Sequence, residues 1–143
     1  MLSYQQLKHH PPALRAFTGL DQAEFEKLLT HFEMAYYAYR YDQHVTQKSR
    51  KRRYGGGRKP RLASMEEKLL FILVYFKVYP LQEVMAFLFD TSQGRVNEWI
   101  HQLSTVLKMA LGKAHMLPER EPKNLEQTLA LCVAVDFIID GTE

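Results

Sequence analysis

The sequence predicts a mainly α-helical protein that ends in a single β-strand. Through most of the chain, apolar residues recur at intervals of three and four, as they do on the buried face of a helix. Proline and glycine stand mainly between these stretches rather than inside them. The last apolar stretch, residues 129–139, is instead rich in β-branched residues near its end, which favours a buried strand.

Residues 1–47 form a predicted N-terminal helical region. Short helical pieces are expected first, broken by Pro11, Pro12 and Gly19. Asp21 is followed three residues later by Glu24, the spacing of a capping box at the start of a helix. The apolar spacing that follows predicts a helix over residues 22–39.

Residues 48–63 form a predicted basic linker, because three successive glycines cannot hold a helix and Pro60 disfavours helix at the residue before it. Three helices are expected over residues 64–112. Ser64 is the predicted N-cap of the first, Pro80 the first residue of the second, and Gly112 the end of the third. Residues 113–128 are a second predicted linker, and residues 129–143 contain the strand.

The spacing within the trihelical segment predicts a helix-turn-helix. The first helix of that motif needs a small residue where the second crosses it, and Ala86 can take this place. The turn needs a residue that tolerates a left-handed backbone, and Asp90 stands four positions later, where glycine is commoner. Val96 is at the right distance to be the buried apolar residue of the second helix. Helix pairs with short turns also occur in proteins that do not bind DNA.

In this register the third helix of the segment is the recognition helix, with its polar N-terminal surface toward the major groove of DNA. Gln and Asn pair with adenine, Glu accepts from cytosine, and Arg or a backbone amide contacts phosphate. A glycine permits close approach of the helix to the duplex. The candidate DNA-contacting residues of this helix are Ser92, Gln93, Gly94, Arg95, Asn97, Glu98 and His101.

The distribution of charge supports a polyanionic partner. The net charge is only +3, but residues 48–61 hold eight of the 19 basic residues and no acid, leaving 11 basic against 16 acidic residues elsewhere. A flexible basic arm can enter the minor groove or follow the phosphates. A solvated linker and a nuclear-localisation-like patch are alternatives, whereas the spacing excludes a P-loop. The candidate arm residues are Arg52, Arg53, Arg58, Lys59 and Arg61.

Several other classes of protein are disfavoured. No apolar run is long enough to span a membrane, and the N-terminus lacks the apolar core of a signal peptide. Cys132 is the only cysteine, so an internal disulfide is excluded and a reducing cytoplasm is expected. The histidines lack zinc-ligand spacing, and no catalytic triad, paired-carboxylate site or small-molecule substrate site is indicated.

Asp140 follows the predicted strand directly and precedes Gly141. A carboxylate at the tip of a strand can ligate Mg²⁺. The same two residues are equally suited to a simple turn after the strand. One carboxylate does not form a two-metal site.

Taken together, several segments resemble bacterial insertion-sequence transposases of the DDE superfamily. The similarity is to their N-terminal helix-turn-helix part and is best from Gly55 to Glu143. The segments that carry it are GGGRKPRL, EKLLFILVYFKVYPLQEVMAFLF, SQGRVNEWIHQL, LPER and IIDGTE.

The resemblance implies a partner and a cofactor. In such proteins the N-terminal part binds the terminal inverted repeats of the element, and an RNase H-like domain uses three carboxylates and two Mg²⁺ ions to cut and join DNA. By this similarity Asp140 is the first carboxylate, catalytic and metal-binding only in the full catalytic domain. The expectation is a front part of a longer enzyme, truncated after the first strand of an incomplete RNase H-like domain, with no cofactor of its own.

The expected location is therefore the bacterial cytoplasm, on the nucleoid, with double-stranded DNA as partner and intact transposase or a second copy as further partners. Two alternatives remain open. The chain could supply Asp140 to an active endonuclease and strand transferase completed by another chain, as when two reading frames are joined by frameshifting. It could also be a transcription regulator that uses the same helix-turn-helix on a palindromic site.

Overall fold

The computed structural model describes residues 1–46 and 61–115, and this part of the chain is mainly helical, as predicted. The linker up to Pro60, the strand over residues 129–139 and the candidate carboxylate Asp140 lie outside the described residues. The six described helices are α1 Tyr4–Lys8, α2 Pro11–Thr18, α3 Gln22–Thr46, α4 Met65–Val78, α5 Gln82–Leu88 and α6 Gln93–Lys113.

The two prolines of the N-terminal region separate α1 from α2 and also begin α2. Pro11 and Pro12 occupy the first two positions of α2, where a missing backbone N–H costs nothing. Gly19 ends α2 with φ of 79°, a left-handed conformation that glycine adopts without strain. The two short helices α1 and α2 thus form a compact entry to the long helix α3.

The predicted capping box at the start of α3 is confirmed. The backbone N–H of Glu24 donates to Asp21 Oδ1 and the N–H of Asp21 donates to Glu24 Oε2, each over 2.9 Å. The predicted end of this helix near residue 39 was wrong, because α3 continues to Thr46. No glycine or proline occurs between Tyr39 and Thr46 to stop it.

Helix α4 is buried on most of its sides, as its apolar sequence predicts. Its N-cap is Ser64, whose Oγ accepts from the N–H of Glu67 over 3.2 Å. Both Leu69 and Leu70, and Phe71 after them, are fully buried, so consecutive residues face neighbouring helices in different directions.

Two predicted boundaries in the trihelical unit shift by one or two residues. Helix α5 begins at Gln82 with Leu81 as N-cap, so Pro80 stands just before the helix instead of within it. Helix α6 passes through Gly112 and ends at Lys113. A glycine near the end of a helix is tolerated at a cost of about 1 kcal/mol, and it ends the helix only where the following geometry uses it.

The described part of the chain has one continuous hydrophobic core. Helix α6 packs against α3, α4 and α5, while α2 and α1 pack against α4. The core cluster therefore extends from Tyr4 in α1 to Ala110 in α6. None of the described helices combines the length and the apolar character needed to cross a membrane.

Candidate nucleic-acid interface

The turn between α5 and α6 has the left-handed residue that a helix-turn-helix requires. Asp90 adopts φ of 48°, as predicted from its position. The N–H of Thr91 donates to the carbonyl of Ala86 over 2.9 Å, which closes the end of α5. Val96 is fully buried one turn into α6, so the predicted anchor of the second helix is also confirmed.

Substitutions at Asp90 test this turn. Because a β-branched side chain is strained in the left-handed region, Asp90→Val is expected to lower the free energy of unfolding by about 1–2 kcal/mol. Asp90→Gly relieves the backbone but loses an exposed ion pair, so its effect is expected to stay within about 1 kcal/mol. Urea denaturation of both variants is the measurement. Equal stability of the two variants would contradict the left-handed turn.

One side of α6 is open to solvent along the whole helix. Its exposed residues recur at helical spacing and lie opposite the buried residues Val96, Ile100 and Leu103. Sequence reasoning found the first part of this stripe but not its continuation through Thr105, which the spacing could have shown. The exposed stripe consists of Gly94, Asn97, Glu98, His101, Thr105 and Lys108.

The candidate residues at the start of α6 differ in how far their side chains are already engaged. Ser92 is the N-cap, and its Oγ accepts from the backbone N–H of Arg95 over 3.4 Å. The Arg95 guanidinium contacts Glu98 across 2.7 Å, an exposed pair one turn apart. Asn97 Oδ1 accepts from Gln82 Nε2 over 3.4 Å, which ties the stripe to α5.

Three other positions of α6 have exposed surface that a ligand could reach. Gln93 is exposed in the first turn, and His101 is exposed two turns further on. A Cβ atom built on Gly94 would meet nothing within 4 Å, so the helix surface there is open. A flat, open first turn is suited to close approach of a large ligand.

The end of the basic arm is attached to the turn. Arg61 Nη2 forms an ion pair with the carboxylate of Asp90. This residue of the predicted linker therefore lies beside the start of α6, which was not evident from the sequence. The other candidate arm residues, Arg52, Arg53, Arg58 and Lys59, lie outside the described residues.

A cationic cleft borders α6 and the turn that precedes it. It has a volume of about 660 Å³ and lies between α3, the start of α4 and α6. Four of its lining side chains are basic: Arg40, Arg61, Lys68 and Arg95. No acidic side chain from the described part of the chain lines it. Two of these cations, Arg40 and Lys68, were not singled out from the sequence, because they belong to helices far apart in the chain.

Lys68 is one of the residues that line this cleft, and most of its surface is buried. Its Nζ donates to the carbonyl of Ala63 over 3.1 Å and to that of Ser64 over 3.3 Å, and it lies 5.3 Å from the centre of the Tyr36 ring. Burial lowers the pKa of Lys68 below its ordinary value, and the positive charge of Arg40 lowers it further, against an opposing effect of Glu67. The cleft therefore holds positive charge in partly desolvated surroundings.

The metal site expected at Asp140 lies outside the described residues and stays a prediction. Among residues 1–46 and 61–115, no group of three or more His, Cys, Asp or Glu side chains is placed to hold a metal ion. What the described residues do present is an exposed helix face and a set of cations.

Comparison with known families identifies the motif. Residues 60–113, which include α4, α5 and α6, match a family described as the helix-turn-helix of DDE superfamily endonuclease. The trihelical unit is therefore similar to the helix-turn-helix domain of these enzymes, over a match that covers less than half of the chain. No curated protein and no solved structure gives a significant match to the chain. The predicted resemblance to the helix-turn-helix part of DDE transposases is thus confirmed for this domain.

Proposed function

We propose that this chain binds the terminal inverted repeats of an insertion sequence as the DNA-binding part of a DDE transposase. The observation that carries the proposal is the exposed stripe of α6, held at a left-handed turn within a matched helix-turn-helix domain. Recognition helices of this motif place their N-terminal residues against base edges in the major groove. The partner is accordingly double-stranded DNA, and the location is the bacterial nucleoid.

The side chains in the first turns of α6 would contact different bases, according to the hydrogen-bonding groups that each of them carries. Gln93 and Asn97 can each donate and accept in one plane, which is the pattern that pairs with adenine. Glu98 can accept from the amino group of cytosine, and His101 extends the contact along the groove. The bond from Gln82 to Asn97 would fix the orientation of the Asn97 amide before DNA arrives.

The arm supplies affinity that is independent of sequence. Arg58 and Lys59 immediately precede the segment that Arg61 attaches to the turn. Because this attachment is next to the recognition helix, the arm would leave the domain close to the DNA backbone. Arm cations placed there would neutralise phosphates and make binding depend on salt.

Two sets of substitutions separate reading of bases from neutralisation of charge. Asn97→Ala is expected to reduce discrimination at one base pair by about 1–3 kcal/mol and to leave binding to scrambled duplex unchanged. A variant with Arg58→Ala and Lys59→Ala is expected to weaken binding to all duplexes and to lower the salt slope by about 0.9 for each lost phosphate contact.

Band shifts with the ends of the element, with scrambled duplex and at several salt concentrations would measure both effects. The same outcome for both sets would show that α6 does not read bases. Equal binding of element ends and scrambled duplex by the unaltered chain would overturn the proposed target. A marked preference for a palindromic site by a stable dimer would favour a transcription regulator instead.

Catalysis is expected to need more than this chain. Asp140 is the candidate first carboxylate by resemblance, and one carboxylate cannot hold two Mg²⁺ ions for strand cleavage. Purified chain supplied with Mg²⁺ and a supercoiled plasmid is therefore expected to leave the plasmid uncut. Nicking that Asp140→Asn abolishes would instead support an active endonuclease.

A further inference from the structure

We propose that the cationic cleft beside α6 binds a phosphodiester group of the DNA backbone, so that α3 takes part in DNA binding together with the helix-turn-helix. This inference rests on the proposed function and adds a site to it. The family match begins at residue 60 and does not include α3, where Arg40 is located.

The first argument concerns charge. Arg40, Arg61, Lys68 and Arg95 line one cleft without an acidic side chain among the described residues. Like charges repel one another most strongly where solvent is partly excluded. The ion-pair partners of Arg61 and Arg95, which are Asp90 and Glu98, stand outside the cleft lining. The concentration of basic side chains in one cleft makes it suited to attract an anion.

The second argument concerns position. Thr91, Arg95 and Gln102 line the cleft and lie on one face of α6 or at its start, next to the exposed stripe. A duplex whose major groove received the exposed stripe would bring one backbone strand along the neighbouring face of the same helix. Arginine guanidinium groups bind phosphate oxygens through paired, charge-assisted hydrogen bonds.

The third argument concerns size and openness. A cleft of about 660 Å³ is larger than one phosphate group needs, and its walls include the half-buried rings of Tyr36 and Trp99. The extra room suits a backbone segment with its sugars. Trp99 is the only tryptophan of the chain, so its fluorescence reports directly on occupation of the cleft.

The test combines binding of a labelled mixed-sequence duplex with Trp99 emission. Duplex binding is expected to change the Trp99 emission, and added salt is expected to reverse the change. Arg40→Gln should weaken binding roughly tenfold, with little dependence on sequence, and should lower the salt slope by about 0.9. Arg15→Gln is the matched control, since it removes the same charge from an exposed position on α2 outside the cleft.

A second variant distinguishes loss of DNA binding from loss of folding. Gln102→Glu places a carboxylate among the four cations, so it should leave the melting temperature unchanged or raise it while weakening duplex binding. Equal effects of Arg40→Gln and Arg15→Gln in a chain that binds duplex would overturn this inference and leave the proposed function intact. No duplex binding by the unaltered chain would overturn both. An equal response of Trp99 to inorganic phosphate or a mononucleotide at the same concentration would show a site for free phosphate and overturn the backbone site.

Discussion

Phe71→Ala is expected to destabilise the protein by about 3–5 kcal/mol, the range for removing a fully buried aromatic ring. Phe71 has no exposed surface, and its ring packs edge-on against Phe89 at 4.9 Å and against Trp99 at 5.5 Å between centroids. These contacts join α4 to the turn after α5 and to α6. Since small domains have a total stability of about 5–15 kcal/mol, a large part of it should be lost.

The measurement is urea denaturation followed by far-ultraviolet circular dichroism, with duplex binding measured in parallel. Phe87→Ala is the matched control, because this ring is 86% exposed and its loss is expected to change stability by less than about 0.5 kcal/mol. Helix α6 should lose its fixed position in the Phe71 variant, so binding should weaken as well. Equal stability of the two variants would contradict the described core.

A fragment of residues 60–115 is expected to lose cooperative unfolding, although it contains the whole matched helix-turn-helix. Removal of α1, α2 and α3 takes away seven of the 21 residues of the described core. Phe25, Phe32 and Ala35 of α3 are among them and are fully buried. At about 2–5 kcal/mol for each large side chain, the loss exceeds the stability of a domain of this size.

The control is a chain of residues 1–115, which keeps all six described helices and should unfold in one transition. Thermal melts of the two fragments, followed by circular dichroism, make the comparison. A sharp transition in the fragment of residues 60–115 would show that the helix-turn-helix is an independent folding unit.

Local signals in the sequence were reliable where neighbouring residues decide the structure. The cap at Ser64, the capping box of Asp21 and Glu24, and the left-handed residue Asp90 all depend on side chains and backbone within four positions. Helix ends were less reliable. Gly112 was expected to end α6, but the helix passes through it and ends at Lys113.

The candidate interface was accessible to sequence reasoning only in part. The exposed stripe of α6 follows from a period of 3.6 residues, so Asn97 and His101 could be assigned to one side of one helix. The cationic cleft could not be predicted in this way. Arg40 and Arg95 are 55 positions apart, and only the packing of α3 on α6 brings them to one cleft.

The sequence by itself determined the helical class, the turn and the polar, exposed side of α6, because helix periodicity, caps and turn residues are local properties of the chain. The tertiary structure decided that α1–α3 share the core of the helix-turn-helix, that Arg61 is attached to the turn, and that four cations meet in one cleft. The physical reason is that contacts between residues far apart in the sequence depend on how the apolar faces of the helices pack against one another. Many pairings of amphipathic helices satisfy the same pattern of residues, and the fit of the side chains selects among them.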